Sequence, residues 1–249
     1  MATANTKLFA PYKVTDFDQI PSGLKDSGGT YVNDYGGYMS IGYNSKKVPA
    51  PKTVSDLLKS TYKGKVALNG DPTQAGAAFA GVMMASLGNG GSASSVDQGV
   101  AFFKKLKAAG NFLPVDPTPA TIASGQTPVV LDWDYLNVVQ GQEHSYWKTV
   151  IPSGAVLGGY YVQAVSAKAP HPAAARLWEE FLYSDEGQNL WLEGGARPVR
   201  LPTMVKDGTV DKTAYADLPK VSGTPVFLTQ SQSDKAASYL SANWSKAIS

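Results

Sequence analysis

The apolar positions of this chain fall into short runs bounded by glycine, proline and asparagine, and these alternate with stretches of helical spacing. Residues 7–28 read as a loop with a short helix, ending at Ser27-Gly28-Gly29. Tyr31 to Tyr43 is rich in tyrosine and glycine and reads as a strand, closed by Asn44-Ser45-Lys46-Lys47-Val48-Pro49. Thr53 caps a helix start, and Tyr62 to Leu68 leads into a buried strand. Asn69-Gly-Asp-Pro-Thr-Gln-Ala-Gly76 opens an alanine-rich helix to about Leu87, followed by a glycine and serine linker, Gly88 to Ser95. Val100, Phe103, Leu106 and Lys107 mark a further helix, Thr121 to Gly125 a short element, and Pro128 to Leu131 a buried strand. Trp147 to Ile151 and Gly158 to Ala167 read as strands, and the polar tail carries a last helix near 234–247.

After Ala167 the Pro170/Pro172 pair stops the strand and opens a helix, because proline suits a first turn that needs no amide partner. Ala174, Leu177, Trp178, Phe181 and Leu182 recur at helical spacing and predict the buried face, with Arg176, Glu179 and Glu180 opposite. Ser184-Asp185-Glu186 caps the next helix, which Gly194-Gly195 ends. The whole order predicts an α/β sandwich with a mostly parallel sheet. Its core is expected from Val66, Leu68, Phe79, Val82, Phe103, Leu106, Val129, Val130 and Leu131.

Composition narrows the chemistry. The 249 residues are 43% hydrophobic and 17% charged, enough to bury a substantial core in one large or two small domains. A net charge of +2 without a basic block argues against nucleic acid as a partner. The absence of cysteine removes disulfides, thiolate catalysis and thiolate metal sites together. His144 and His171 lack metal-ligand spacing, no Gly-x-Ser-x-Gly elbow occurs, and Gly88-Asn-Gly-Gly-Ser92 lacks the lysine of a phosphate loop. No cofactor is implied. No apolar run reaches membrane-span length, and Met1 to Thr6 lacks the basic and apolar parts of a signal peptide.

The run from Ala164 through "APHP", "LYSDEGQ" and "PVR" resembles the C-terminal signature of the solute-binding proteins of bacterial ABC importers. The resemblance is to the branch that includes iron(III), polyamine and phosphonate binders. "GYNSKKVP" is similar to that family's segment crossing from the first lobe to the second. The resemblance implies a periplasmic-binding-protein-like two-lobe architecture, with lobe two complete and lobe one truncated. Residues 1–44 would be a remnant of lobe one with the first crossing strand, 45–160 lobe two, and 161–249 the return crossing with the C-terminal helices of lobe one. The family's opening βαβαβ unit has no counterpart before Tyr31, since each βαβ takes roughly 30 residues. The resemblance also implies an exported protein whose leader is not in this sequence, periplasmic or extracellular and membrane-associated through its transporter.

Three segments are candidates for chemistry. At Asn69 to Gly76 a strand end feeds a helix start, whose free amides suit an anionic group. The resemblance maps ligand contacts onto Asp71, Thr73 and Gln74, while an ordinary capped helix explains the same residues equally well. In Leu131 to Asn137, a continuing strand would put Asp132 and Asp134 on one side and Trp133 and Tyr135 on the other. Carboxylates beside aromatic rings suit an organic cation, and the family places ligand residues here. The competing reading makes the rings core and the aspartates caps. In the return crossing, only one of Tyr160 and Tyr161 can face a cleft, and Tyr160 is the candidate. Iron(III) binders of this class use adjacent tyrosines after the strand equivalent to 128–131, where this chain offers only Tyr135. Arg197 and Arg200 read as solvated loop residues.

The implied function is a non-enzymatic receptor. It would capture a small polar solute (a polyamine, phosphonate, sugar phosphate or iron complex) between two lobes by hinge closure, then present it to an importer permease. A truncated, self-associating fragment without solute binding is the alternative, and an enzyme on the same fold a lesser one. A lobe one lacking strands would leave Trp178, Phe181, Leu190 and Trp191 uncovered, which favours a homodimer formed by element exchange.

Overall fold

The computed structural model describes residues 6–249. The stretch read for an export signal therefore lies, but for Thr6, outside the described residues. In chain order the elements are β1 (Phe9–Ala10), β2 (Val32–Asn44), β3 (Val66–Leu68), α1 (Gly76–Leu87), α2 (Asp97–Ala108), α3 (Pro119–Ala123), β4 (Val129–Trp133), α4 (Asp134–Glu143) and β5 (Trp147–Val150). There follow β6 (Leu157–Gln163), β7 (Val165–Ser166), α5 (Pro172–Tyr183), α6 (Asp185–Glu193), β8 (Arg197–Pro198), α7 (Leu201–Asp207), α8 (Lys212–Asp217), β9 (Val226–Phe227) and α9 (Gln230–Ile248). The chain divides into two compact units. The first holds the described residues up to Gly37 with Tyr160–Leu218, and the second holds Tyr38–Gly159 with Pro219–Ser249.

In the second unit, Met39–Tyr43 of β2 pairs antiparallel with Trp133–Val129 of β4, and Ile41–Asn44 pairs antiparallel with Val150–Trp147 of β5. By contrast, β3 with β4 and β6 with β9 run parallel. The sheet is thus mixed rather than mostly parallel. A parallel neighbour needs a crossover of a dozen or more residues. The helices α1 to α3 supply one between β3 and β4, whereas β2, entering from the other unit, runs against both β4 and β5. Of the nine expected core residues eight are buried, and Phe79 packs half-buried against the same cluster.

The last helix departs from the expected division, which gave residues 161–249 to lobe one. Ala236, Leu240 and Trp244 recur every four residues along α9 and are buried in the second unit's core. The Trp244 ring meets Phe103 of α2 edge to face at 5.2 Å. The polar composition of 219–249 hid this narrow apolar stripe.

The first unit has its own core, from Val14, Phe17, Ile20, Val32, Leu182, Tyr183 and Val199. Pro172 begins α5, and the Ser184 hydroxyl accepts from the Gly187 amide at 3.1 Å to cap α6. The buried face of α5 is not the expected one. Glu179, Leu182 and Tyr183 point inward, while Leu177 and Trp178 are 72% and 58% exposed. Inward Tyr183 donates its hydroxyl to the Val32 carbonyl at 3.2 Å, which fixes the helix's rotation. Arg200, expected in solvent, is also buried. Its guanidinium holds Asp16 at 3.1 Å and Asp185 at 2.9 Å and donates to Gln19 and to the Tyr183 carbonyl.

Trp244→Ala should destabilise the second unit by about 3–5 kcal/mol, the usual cost of emptying a large aromatic site. Denaturant unfolding followed by circular dichroism measures this, and a change under 1 kcal/mol would mean that α9 does not close that core.

Candidate functional site

The parallel pair β3–β4 ends in two adjacent loops, the place where ligands meet open α/β sheets. The Asn69 amide donates to the Leu131 carbonyl at 3.3 Å, carrying the register of the pair one residue past β3. Its side-chain Nδ2 then donates to Asp132 Oδ2 at 2.8 Å. The other carboxylate oxygen, Oδ1, accepts from the Trp133 amide at 2.8 Å. Asp132 is 7% exposed, and burial pushes its carboxyl up to about 6 although both hydrogen bonds favour the charge. Holding that charge at neutral pH costs on the order of 3 kcal/mol relative to water.

The strand does not continue past Trp133, so the expected alternation breaks. With α4 beginning at Asp134, the two carboxylates part company. Asp134 is fully buried, and its Oδ1 accepts from the Tyr38 amide at 2.9 Å and the Tyr135 amide at 3.0 Å. It pins β2 to the start of α4 and is withdrawn from solvent. The two aromatic side chains do stay together: Trp133 and Tyr135 stack with centroids 6.2 Å apart and planes 7° from parallel.

The preceding loop is built by Asp71. Its Oδ1 accepts from both the Thr73 amide and the Thr73 hydroxyl at 2.7 Å, and its carbonyl accepts from Gln74 and Ala75. Gln74 is exposed and donates to the Thr73 hydroxyl at 3.3 Å. Helix α1 therefore starts only at Gly76, and residues 71–75 form a turn at its mouth. Gly70 holds φ +97°, with Ala75 close enough to meet any Cβ placed there at 2.8 Å.

Asn69, Tyr38 and Gly159 are members of this region that the sequence reading did not select. A Cβ on Gly159 would lie 2.8 Å from the Trp133 ring, and one on Gly158 would lie 2.5 Å from Phe227. The paired glycines of β6 thus make room for two aromatic rings. Glycine inside a strand signals such close approach, and that was the available clue. Tyr160, next along β6, belongs to the first unit and is half-buried. Tyr161 stacks on Tyr35 at 5.1 Å. Among the described residues, no group of three or more His, Asp or Glu side chains could hold a metal ion.

Residues 2–220 match the sequence family described as "Bacterial extracellular solute-binding protein". No curated protein matches the chain. Several solved structures share its fold. The spermidine/putrescine ABC transporter substrate-binding protein PotD from Streptococcus pneumoniae is 15% identical at TM-score 0.70, the match covering 99% of this chain and 80% of that one. The periplasmic binding protein AfuA from Actinobacillus pleuropneumoniae, with fructose-6-phosphate bound, is 17% identical at TM-score 0.67, over 100% and 78%. Iron-bound HitA from Pseudomonas aeruginosa is 19% identical at TM-score 0.65, over 98% and 78%.

Replacing Asp132 with asparagine removes a carboxyl whose folded pKa is raised. Such a group stabilises the fold below about pH 4 and loses that contribution as pH climbs through about 6. The stability of Asp132→Asn relative to wild type should therefore rise between pH 4 and pH 7 and then level off. Denaturation midpoints measured across that range check this, and a pH-independent difference would place the carboxylate in water.

Proposed function

The chain belongs to the family of bacterial extracellular solute-binding proteins, the solute-capturing components of ABC importers, and from that premise we propose that it takes up a small solute carrying a cationic nitrogen. The observation that carries this reading is the Asp132 carboxylate, buried and oriented by Asn69, beside the stacked Trp133 and Tyr135 rings. A desolvated carboxylate supplies the opposite charge, and an aromatic face adds cation–π attraction. Asp71, with Oδ2 outside its own turn, Thr73 and Gln74 would contact the solute from the neighbouring loop. Asp134 would act indirectly, by holding Tyr38 and the α4 start in place. The open amides before α1 favour an anionic group on the same solute, so a zwitterion such as an aminophosphonate satisfies both loops. A simple polyamine, the solute named for the Streptococcus pneumoniae protein, uses the carboxylate alone. Sugar phosphates fit less well because they offer no cation to Asp132, and ferric complexes because no group of three or more His, Asp or Glu side chains stands ready to hold the metal among the described residues.

We read the protein as a receptor and not a catalyst, working in the periplasm or at the outer surface and meeting the membrane through its importer's permease. No described helix is long and apolar enough to cross a membrane. Calorimetric titration with putrescine, spermidine, an aminophosphonate, fructose-6-phosphate and ferric citrate tests the solute class. Binding of an amine or zwitterion should weaken by 1 kcal/mol or more in Trp133→Ala, roughly fivefold in affinity. Tight binding of the sugar phosphate or ferric citrate alone would overturn the reading.

Leu177, Trp178 and Leu190, all more than half exposed, support a second proposal, self-association through the first unit. Light scattering at micromolar concentration should show a species heavier than one chain, returned to monomer by Trp178→Glu. A wild-type monomer would end the proposal.

A further inference from the structure

The first unit buries two carboxyls, Asp34 and Glu179, and the charge of the first acts on the second. Asp34, on β2, is fully buried. Its Oδ2 accepts from Gln163 of β6 at 3.0 Å and its Oδ1 from Gln188 of α6 at 3.5 Å. The Trp191 indole N–H lies near enough to favour the charge, though without hydrogen-bond geometry. Asp34 thus ties together the two strands along which the chain passes between its units, on the first unit's side. Glu179, on the inward face of α5, is 7% exposed, and among the described residues its carboxyl has no hydrogen-bond partner.

Among the described residues no cation bears on either carboxyl: Arg176, one turn before Glu179 on α5, lies over the Tyr12 ring. The charges bearing on Glu179 are those of Asp34 and Glu180. Glu180 itself turns outward to the Tyr12 hydroxyl, at 2.6 Å, and the Thr15 amide. From α6, Asp185 is turned to Arg200, and Gln188 and Trp191 are neutral. The strand β7, which packs on α5, brings Val165 and Ser166 and no titratable group. Tyr183, one turn along α5, is neutral, with its hydroxyl given to Val32. Arg197 is buried on β8, opposite Gly36, and Arg200 is committed to Asp16, Asp185, Gln19 and the Tyr183 carbonyl.

The two carboxyls are therefore unequal. Amide donors on both oxygens favour the charged form of Asp34. Glu179 has burial and a negative neighbour and nothing to offset them, which favours the protonated form. We propose that Glu179 is a proton-operated latch of the first unit. With its proton in place it is a buried neutral group within reach of the Asp34 charge. When the proton leaves, two like charges face each other in a low-dielectric interior, and the hold of α5 and Asp34 on β2 and β6 weakens. The midpoints agree in order: burial and the Asp34 charge push Glu179 up to about 7, and burial alone pushes Asp34 up to about 6. Since both folded values are raised, the contribution is complete below about pH 4 and is lost as pH rises through 6 to 7. This inference does not depend on which solute is bound.

Amide hydrogen exchange on the full chain, corrected for intrinsic pH dependence, tests it at Asp34–Gly36 and Tyr161–Gln163. Local opening should increase on the order of tenfold or more between pH 5.5 and pH 8 in wild type, and stay flat in Glu179→Gln, which keeps the shape without the charge. An unchanged pH response in that variant would overturn the proposal. Should Glu179→Gln fail to fold, the carbon-13 shift of the wild-type Glu179 carboxyl decides. A midpoint near 7 supports the latch, and one in the ordinary glutamate range removes it.

Discussion

The antiparallel ladder between β2 and β4 is the constraint on which the second unit depends. Met39 to Tyr43 face Trp133 to Val129 residue by residue, and β3 takes its parallel register from the far edge of the same strand. A slip of one residue would turn every side chain of β4 to the opposite face. Asp132 and Trp133 would then exchange environments, the carboxylate losing Asn69 and the ring losing the gap above Gly159. Asp134 guards against that slip, because its carboxylate holds the Tyr38 amide where the ladder ends.

Three aspartates sit in this protein with almost no exposure, and each meets the cost of burial differently. Asp134 accepts backbone amides, which cannot move away, and so serves geometry. Asp132 has one side-chain donor and one backbone donor, and its remaining acceptor capacity is what a solute could use. Asp34 is held by two side-chain amides and by a neighbour of its own sign. Donor type thus separates three residues that look identical in the sequence: backbone amides for Asp134, one side-chain and one backbone donor for Asp132, and side-chain amides for Asp34.

Local signals were the legible ones. Caps at Thr53 and Ser184, the proline opening α5 and the β-branched run at Val129 and Val130 act within a few residues, and the elements follow them. The loops after β3 and β4 are legible as candidates because strand ends with polar and aromatic residues are local too. What depends on partners distant in sequence was not legible. Whether β2 runs with or against β4 is decided by its entry from the other unit, and no periodicity records direction. The rotation of α5 escapes the sequence for the same reason. Its apolar spacing pointed Leu177 and Trp178 inward, yet the Tyr183 hydroxyl bond to Val32 and the packing of Leu182 turn Glu179 to the inside. A continuing strand would put Asp132 and Asp134 on one side, and a helix starting one residue after Trp133 separates them.

Closure of the larger core by α9 also bears on how the protein is made. Phe103, Leu106 and the strands around them emerge early from the ribosome, but Leu240 and Trp244, which complete their packing, come long after Leu157, the last core residue contributed by β6. Until that final stripe has been synthesised, the second unit exposes an incomplete apolar surface and has little reason to settle. The larger core is therefore complete only once α9 has been made.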